Sequence, residues 1–342
     1  MTNNDLTSLA DSIQAVASPF RSYLLDLHDK YQNAEDGAVA DYIPELATAK
    51  SEWFGICVVT ANGREFEVGD CDKLFTIQSI SKAFVYGLAL EDNGREYVNS
   101  KVSIEPTGEA FNSIVLDEAT NRPYNPMVNA GAIATTDLIE GGGATERLKR
   151  ILDMFRRYTG RELDINVPVF LSEKATGNRN RAIAYLMLNF GMISDRIEET
   201  LDLYFQQCSI MVNGRDLAMM AATLANGGVN PVTQERAIDE RYVQDVISVM
   251  LTCGMYDYSG EWTYNVGIPA KSGVGGGITA VVPGKLGIGT FSPPLDAKGN
   301  SYRGIQVCRD ISRDFGLHLF NVAPPERDLT EWIEGSKSLD SW

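Results

Sequence analysis

Apolar residues at Leu6, Leu9, Ala10, Ile13, Val16, Ala17, Phe20, Tyr23, Leu24 and Leu27 recur at spacings of three and four, which predicts an amphipathic helix along the first segment. Pro19 falls inside that run and predicts a break or kink there. Beyond the YIPELA stretch, WFGICVVT and REFEVG are short β-type runs on either side of Asn62-Gly63, a dipeptide suited to a two-residue hairpin turn. From Ser79 to Glu91 the pattern is helical again, and it stops at Asn93-Gly94, as a helix with a left-handed cap does. Between about residues 95 and 250 the signals are mainly helical, carried by TERLKRILDMFRRYTG, NRNRAIAYLMLNFG, IEETLDLYFQQCSI and RDLAMMAATLANGG. Strand signals return in GITAVVPGKLGIGTFSPP, with Pro283-Gly284 as the turn, and a helix from roughly Ser301 to Phe315 follows.

This order predicts a sheet built from both ends of the chain, over residues 1–94 and 251–323, with a helical domain of residues 95–250 inserted between. A chain of 342 residues exceeds what one hydrophobic core usually absorbs, in keeping with two packed regions. The tail, residues 324–342, is largely polar with two tryptophans, and reads as a docking segment or a frayed end.

Composition narrows the function classes. Hydrophobic residues make up 44% and charged residues 22%, the balance of a folded globular protein. The net charge of -16 repels phosphate backbones and anionic lipid, so neither nucleic acid nor a membrane surface is an expected partner. No basic-then-apolar leader opens the sequence, and no stretch reaches the roughly 18 apolar residues of a membrane span, so a cytoplasmic location is expected. The five cysteines are scattered and contain no CxxC pair; they read as reduced core residues. With only His28 and His318, each in an apolar helical context, neither a histidine metal site nor a Ser/His/Asp triad is expected.

The strongest chemical signal is the segment FTIQSISK, residues 75–82. Ser79 and Lys82 stand three apart at the start of a helix, so both side chains share one face. A lysine with its ordinary pKa of about 10.4 is a poor base at neutral pH, and burial plus a second cation would have to lower it. Lys271, in the Gly-rich turn Lys271-Ser272-Gly273, is the candidate for that cation. Alone, Ser-x-x-Lys is most often a helix cap followed by a solvated lysine. The buried FTIQ run, the downstream Lys-Ser-Gly before strands, and their order match the serine β-lactamase and penicillin-binding-protein layout and make the pair a candidate active site.

The blocks YIPELA, FTIQSISK, EYVNSKV, NPMVNAGAI, SIMVNGRDLAMMAATLANGGVNPVT, CGMYDYSG, PAKSGVGGGI, VVPGKLGIGTFSPPLDAKGNS and GIQVCRD together resemble the bacterial and kidney-type glutaminases, in the same order across about residues 40–310. The resemblance implies a β-lactamase-like architecture, a mixed sheet flanked by helices with an inserted helical domain. It implies hydrolysis of L-glutamine to glutamate and ammonia, with Ser79 as nucleophile, Lys82 as base and Tyr256 assisting proton transfer. The oxyanion would sit between the backbone N–H groups of Ser79 and Val274. Glu173 matches the position that receives the substrate ammonium, and Tyr42, Gln78, Asn129, Asn180 and Tyr204 match those that bind its carboxylate and amide ends. L-glutamine and water are the implied partners, no cofactor is required, and a homodimer or homotetramer is implied.

Two other readings share these features. A penicillin-binding or β-lactam-hydrolysing enzyme uses the same Ser-x-x-Lys and Lys-Ser-Gly elements, although an export signal is expected of it. A catalytically silent glutamine sensor could keep the pocket, against which stands the joint presence of Ser79, Lys82 and Tyr256.

Overall fold

The computed structural model describes residues 18–110 and 112–335. The helical pattern expected from Leu6 to Ala17 lies outside the described residues, whereas Pro19 opens a helix as its first residue, where a missing N–H costs nothing.

The described residues form seven strands: β1 (Gly55–Thr60), β2 (Glu65–Gly69), β3 (Phe75–Thr76), β4 (Met211–Val212), β5 (Ala270–Gly273), β6 (Gly277–Val282) and β7 (Leu286–Phe291). Five of them make one sheet in the order β2-β1-β7-β6-β5, and every pairing in it is antiparallel. The β1–β2 connection is longer by one residue than the two-residue turn expected of Asn62-Gly63. The N–H of Gly63 bonds to the carbonyl of Thr60 (2.9 Å), that of Thr60 to Arg64 (2.9 Å), and only Gly63 takes a positive φ. This is a type I turn closed by a left-handed glycine, the three-residue solution for a hairpin. At Pro283-Gly284 the N–H of Lys285 reaches the carbonyl of Val282 (3.0 Å), and Gly284 supplies the positive φ of a type II turn.

The helices are α1 (Pro19–Tyr31), α2 (Ser81–Lys101), α3 (Asn129–Asp137), α4 (Ala144–Thr159), α5 (Val167–Thr176), α6 (Asn178–Asn189), α7 (Ile197–Cys208), α8 (Gly214–Ala225), α9 (Glu240–Cys253), α10 (Ser259–Asn265), α11 (Tyr302–Asp314) and α12 (Leu329–Glu334). The break expected at Asn93-Gly94 occurs as a kink, because Gly94 leaves helical geometry (φ 77°, ψ 160°) and the helix resumes to Lys101. Ser301 caps α11 through its side chain, which accepts from the N–H of Gly304.

Alternation along β1 divides its side chains between two layers. Ile56 and Val58 join Phe20, Leu24, Ile278, Ile288, Ile311 and Phe315 under α1 and α11. From the tail, Trp332 on α12 packs edge-on against Tyr23 and Phe315. Cys57 and Val59 face the opposite way, onto Ala218, Met219 and Ala222 of α8. Although α8 belongs to the mainly helical stretch of sequence, it lies on the sheet. A second helical cluster, remote from the sheet, gathers Ala130, Ile133, Ile183, Met187, Leu201 and Phe205 from α3, α6 and α7.

Contact between α8 and β7 is backbone to backbone. A Cβ on Gly287 would overlap the main chain of Ala218, Ala221 and Ala222, and one on Gly289 would overlap Gly214 and Ala218. Glycine on the strand meeting alanine on the helix lets the two elements approach more closely than side chains allow. Gly287→Ala is therefore expected to lower the unfolding free energy by about 2 kcal/mol or more, as overpacked cores do. Gly108→Ala, where an added Cβ meets nothing within 4 Å, is expected to change it by less than about 0.5 kcal/mol. Urea denaturation of both variants checks this; equal midpoints would contradict it.

Candidate active site

Ser79 sits in a 3-10 turn, Gln78–Ile80, that leads directly into α2. Gln78 has φ 50°, a left-handed conformation that is uncommon for a residue with a side chain and persists only when its surroundings fix it. Several bonds do so. The N–H of Ile77 donates to the carbonyl of Ile210 (2.8 Å), continuing the β3–β4 pair, and Ser81 Oγ donates to the carbonyl of Gln78 (2.8 Å). The Gln78 side chain donates to Thr76 Oγ1 (3.1 Å) and accepts from Tyr42 Oη (3.3 Å).

One turn beyond Ser79, as the second residue of α2, Lys82 is fully buried. Its Nζ donates to Asn129 Oδ1 (2.7 Å) and to the carbonyl of Met127 (3.3 Å), at the N-terminus of α3. Asn129 is thereby oriented: its Oδ1 also accepts from Tyr204 Oη (3.2 Å), and its Nδ2 donates to Asn180 Oδ1 (3.0 Å). A single asparagine thus joins α2, α3, α6 and α7.

Tyr256, in the turn Tyr256–Tyr258, likewise has a positive φ of 57°. Ser259 Oγ holds that turn, accepting from the N–H of Met255 (3.0 Å) and donating to the carbonyl of Tyr256 (2.8 Å). The phenol meets the Ser79 hydroxyl and the Val274 backbone. Burial nonetheless pushes its acidity well below that of an ordinary tyrosine. Lys271 of β5 lies behind Tyr256, fully buried, 4.3 Å from the ring centroid.

In front of Ser79 opens a cavity of about 360 Å³, lined by Tyr42, Gln78, Ser79, Asn129, Glu173, Asn180, Tyr204 and Val274. Residues scattered from position 42 to position 274 are thus brought around one space, with Lys82 beneath it, Tyr256 beside Ser79, and Lys271 one layer further back. Glu173 accepts from Tyr42 Oη (2.8 Å). Burial raises its pKa, while Tyr42, Gln78 and the charge of Lys82 oppose the rise. Asn112, Thr176, Gly177, Arg179 and Cys208 also line the cavity and were not singled out in the sequence. Cys208 had a legible signal, since it stands one helical turn beyond Tyr204 on α7. Among the described residues no group of three or more His, Cys, Asp or Glu is gathered to hold a metal ion, and no helix is long and apolar enough to cross a membrane.

A family model described as Glutaminase matches residues 37–320. The chain belongs to the glutaminase family. It is similar to the glutaminase of Microcystis aeruginosa, 75% identical over 332 residues that cover 97% of this chain and 98% of that one. The glutaminase of Trichormus variabilis is 63% identical, over 90% and 92% of the two chains. Among solved structures, the probable glutaminase YbaS superposes with a TM-score of 0.86 at 40% identity, covering 88% of this chain and 98% of that one. Mglu, solved in a glutamate form, gives 0.85 at 43% identity, over 89% and 71%. This glutaminase is therefore a hydrolase of β-lactamase-like fold, and the penicillin-binding reading gives way to the family match.

Electrostatics of the glutaminase centre on its two buried lysines. Lys82 is lowered from 10.5 to about 8 by burial, against the opposing pull of Cys208 and Glu173. Lys271 is lowered well below its ordinary value, by burial first and by the charge of Lys82 second. Burial is thus the main cause of both shifts, and repulsion between the two buried amines acts in the same direction on each. Cys208, pushed up to about 12 by burial, stays a neutral thiol beside them.

A lysine with a depressed pKa binds fewer protons folded than unfolded, so its penalty is present below about pH 8 and is relieved as the pH climbs toward 10.5. Relative to Lys82→Met, the wild type is expected to gain stability across that window, by on the order of 3 kcal/mol. Chemical denaturation of both proteins at several pH values measures the difference. A gap that stays constant between pH 7 and 10.5 would refute a depressed Lys82.

Proposed function

We propose that the chain hydrolyses L-glutamine to L-glutamate and ammonia through an acyl-enzyme on Ser79. The observation that carries this reading is the complete burial of Lys82 one turn beyond Ser79, with its pKa lowered to about 8. A lysine in that state is part neutral at physiological pH and able to take a proton.

Ser79 Oγ attacks the side-chain carbonyl carbon of glutamine as its proton passes to Lys82. The oxyanion that forms accepts from the backbone N–H groups of Ser79 and Val274, main-chain donors being suited to a charge that appears only in the transition state. Collapse of the tetrahedral species breaks the C–N bond, and the departing nitrogen receives a proton by way of Tyr256, leaving as ammonia. Water then attacks the ester in the same manner and releases glutamate with a free serine. Glu173 holds the substrate ammonium, a role favoured by a partly buried carboxylate whose charge burial disfavours until a cation meets it. Asn129, Asn180, Tyr204, Tyr42 and Gln78 offer neutral hydrogen-bonding groups to the carboxylate and amide ends. The reaction draws on no cofactor, and a cytoplasmic homodimer or homotetramer is the assembly consistent with the family.

Ser79→Ala is expected to abolish ammonia release while glutamine still binds, because it removes the nucleophile and little of the pocket. Activity within tenfold of the wild type would exclude Ser79 as nucleophile. Glu173→Gln is expected to raise the apparent KM by roughly one and a half to three and a half decades, since truncating one partner of a desolvated charge pair costs about 2 to 5 kcal/mol. The discriminating comparison uses a glutamine analogue without the α-amino group, against which the wild type discriminates strongly and the variant much less. The same ratio for both enzymes would show that Glu173 does not read the ammonium.

A further inference from the structure

Tyr256 carries a conformation that its own chemistry does not favour. A tyrosine at φ 57° needs an environment that over-determines it, and the residues on either side supply only part of that. Ser259 fixes the backbone after the turn, through its bonds to Met255 and Tyr256. Before the turn stands Gly254, pressed so tightly on β5 that any Cβ would overlap the carbonyl of Ala270. These contacts set where the main chain runs. None of them fixes the ring.

Lys271 joins the two. Its Nζ donates to the carbonyl of Gly254 (2.9 Å) and to that of Ser272 (2.6 Å), and lies 4.3 Å from the centroid of the Tyr256 ring. One nitrogen therefore ties the strand, the residue that leads into the strained turn, and the face of the aromatic ring that the turn presents. Lys271 pairs in register with Thr279, whose hydroxyl donates to Leu217 of α8, so its side chain leaves β5 on the α8 side of the sheet. The N–H of Ser272 also donates to the carbonyl of Gly254 (3.2 Å), so that this carbonyl is held twice from the same strand. At that distance the nitrogen packs directly on the ring face and closes the space behind it, whether or not it carries a proton. The acceptors of Lys271 are main-chain carbonyls, and the ionisable groups that bear on it are Lys82 and Cys253. Among the described residues no carboxylate bonds to Lys271; its contacts are with the turn and the ring.

We infer that Lys271 is a positioning residue for Tyr256, holding the ring and its turn so that the phenol stays against Ser79. This rests on the reading of Ser79 and Tyr256 proposed above. It gives Lys271 a task distinct from lowering the pKa of Lys82, to which burial contributes most.

Lys271→Met keeps the length of the side chain and removes both hydrogen bonds and the polar contact with the ring. It is expected to lower kcat about 100-fold, the size of loss that misplacement of a reacting group by about 1 Å produces. KM should stay within about threefold, because Lys271 does not line the substrate cavity. The decisive measurement is a double-mutant cycle with Tyr256→Phe. Once the phenol is gone its position no longer matters, so Lys271→Met in that background should cost less than about threefold in kcat. Equal losses in both backgrounds would overturn the inference while leaving the Ser79 acyl-enzyme intact. A Tyr256→Phe enzyme with wild-type kcat would instead remove Tyr256 from the chemistry, and this reading with it. Circular dichroism monitors the fold, and Lys271→Gln, which can still donate to a carbonyl, takes the place of the methionine variant if that one does not fold. Failure of both to fold would make Lys271 a purely structural residue and equally overturn the inference.

Discussion

The amine of Lys82 has left water entirely, and much of the surrounding structure meets that requirement. An ammonium in an apolar interior is stable only if its N–H groups find acceptors, and even then its proton is held less tightly than in solvent. The acceptors come from the start of α3, the carbonyl of Met127 and the side chain of Asn129. Satisfying Lys82 therefore fixes α3 against α2. Because Asn129 also bonds to Tyr204 and Asn180, the same requirement orders α7 and α6. The polar wall of the cavity follows from this network, and the depressed lysine from burial that the network only partly offsets. Such networks gain from being fully connected and lose heavily when one member is removed.

Strain is the second constraint: of the four non-glycine residues with a positive φ among the described residues, two lie where the chemistry is proposed to occur and two, Asn121 and Gln234, lie elsewhere. Gln78 and Tyr256 both adopt left-handed backbone angles without being glycine, and each adjoins or contacts Ser79. The two sites are held by different means. At Gln78 the two-residue β3–β4 pair and a hydroxyl from Ser81 fix the chain. At Tyr256 a glycine without room for a side chain, a serine bridging the turn, and Lys271 do so. Gln78 is bracketed by the β3–β4 pair and the start of α2, and Tyr256 by the end of α9 and the start of α10.

How much of this was legible in the sequence depended on whether the signal was periodic or local. The α11 helix was readable because Ser301 caps it and its apolar spacing is regular, and the β6–β7 turn because proline and glycine occupy the positions a type II turn requires. The loop at Asn62-Gly63 was read one residue short, since the same dipeptide serves both a two-residue turn and a type I turn closed by glycine, and cross-strand register decides between them. A pair as short as β3–β4 leaves no period to detect. Positive φ at Gln78 and Tyr256 has no sequence mark either, because neither residue prefers it. The serine and lysine of FTIQSISK were visible as a pair, but their environment was not: a solvated lysine and a fully buried one are written with the same letter. Family-scale similarity supplied the candidate pocket residues, from Tyr42 to Val274, that no spacing rule connects.

The glycine-to-alanine contact between β7 and α8 links these constraints. Because Gly287 and Gly289 bring α8 down onto the sheet, the β4–α8 segment approaches the edge of the layer that carries Ser79. The carbonyl of Cys71 accepts from the N–H of Gly214 (3.1 Å), and Asn213 and Asp216 form a reciprocal cap at the same helix start. The position of β4 is thus set from the α8 side, and β4 in turn pairs with β3, three residues before the proposed nucleophile. Widening the helix-to-sheet distance would pull on β4 and hence on the strained Gln78. The main-chain contacts at Gly287, Gly214 and β3–β4 thus form one continuous path between the helix-to-sheet packing and the turn that carries Ser79.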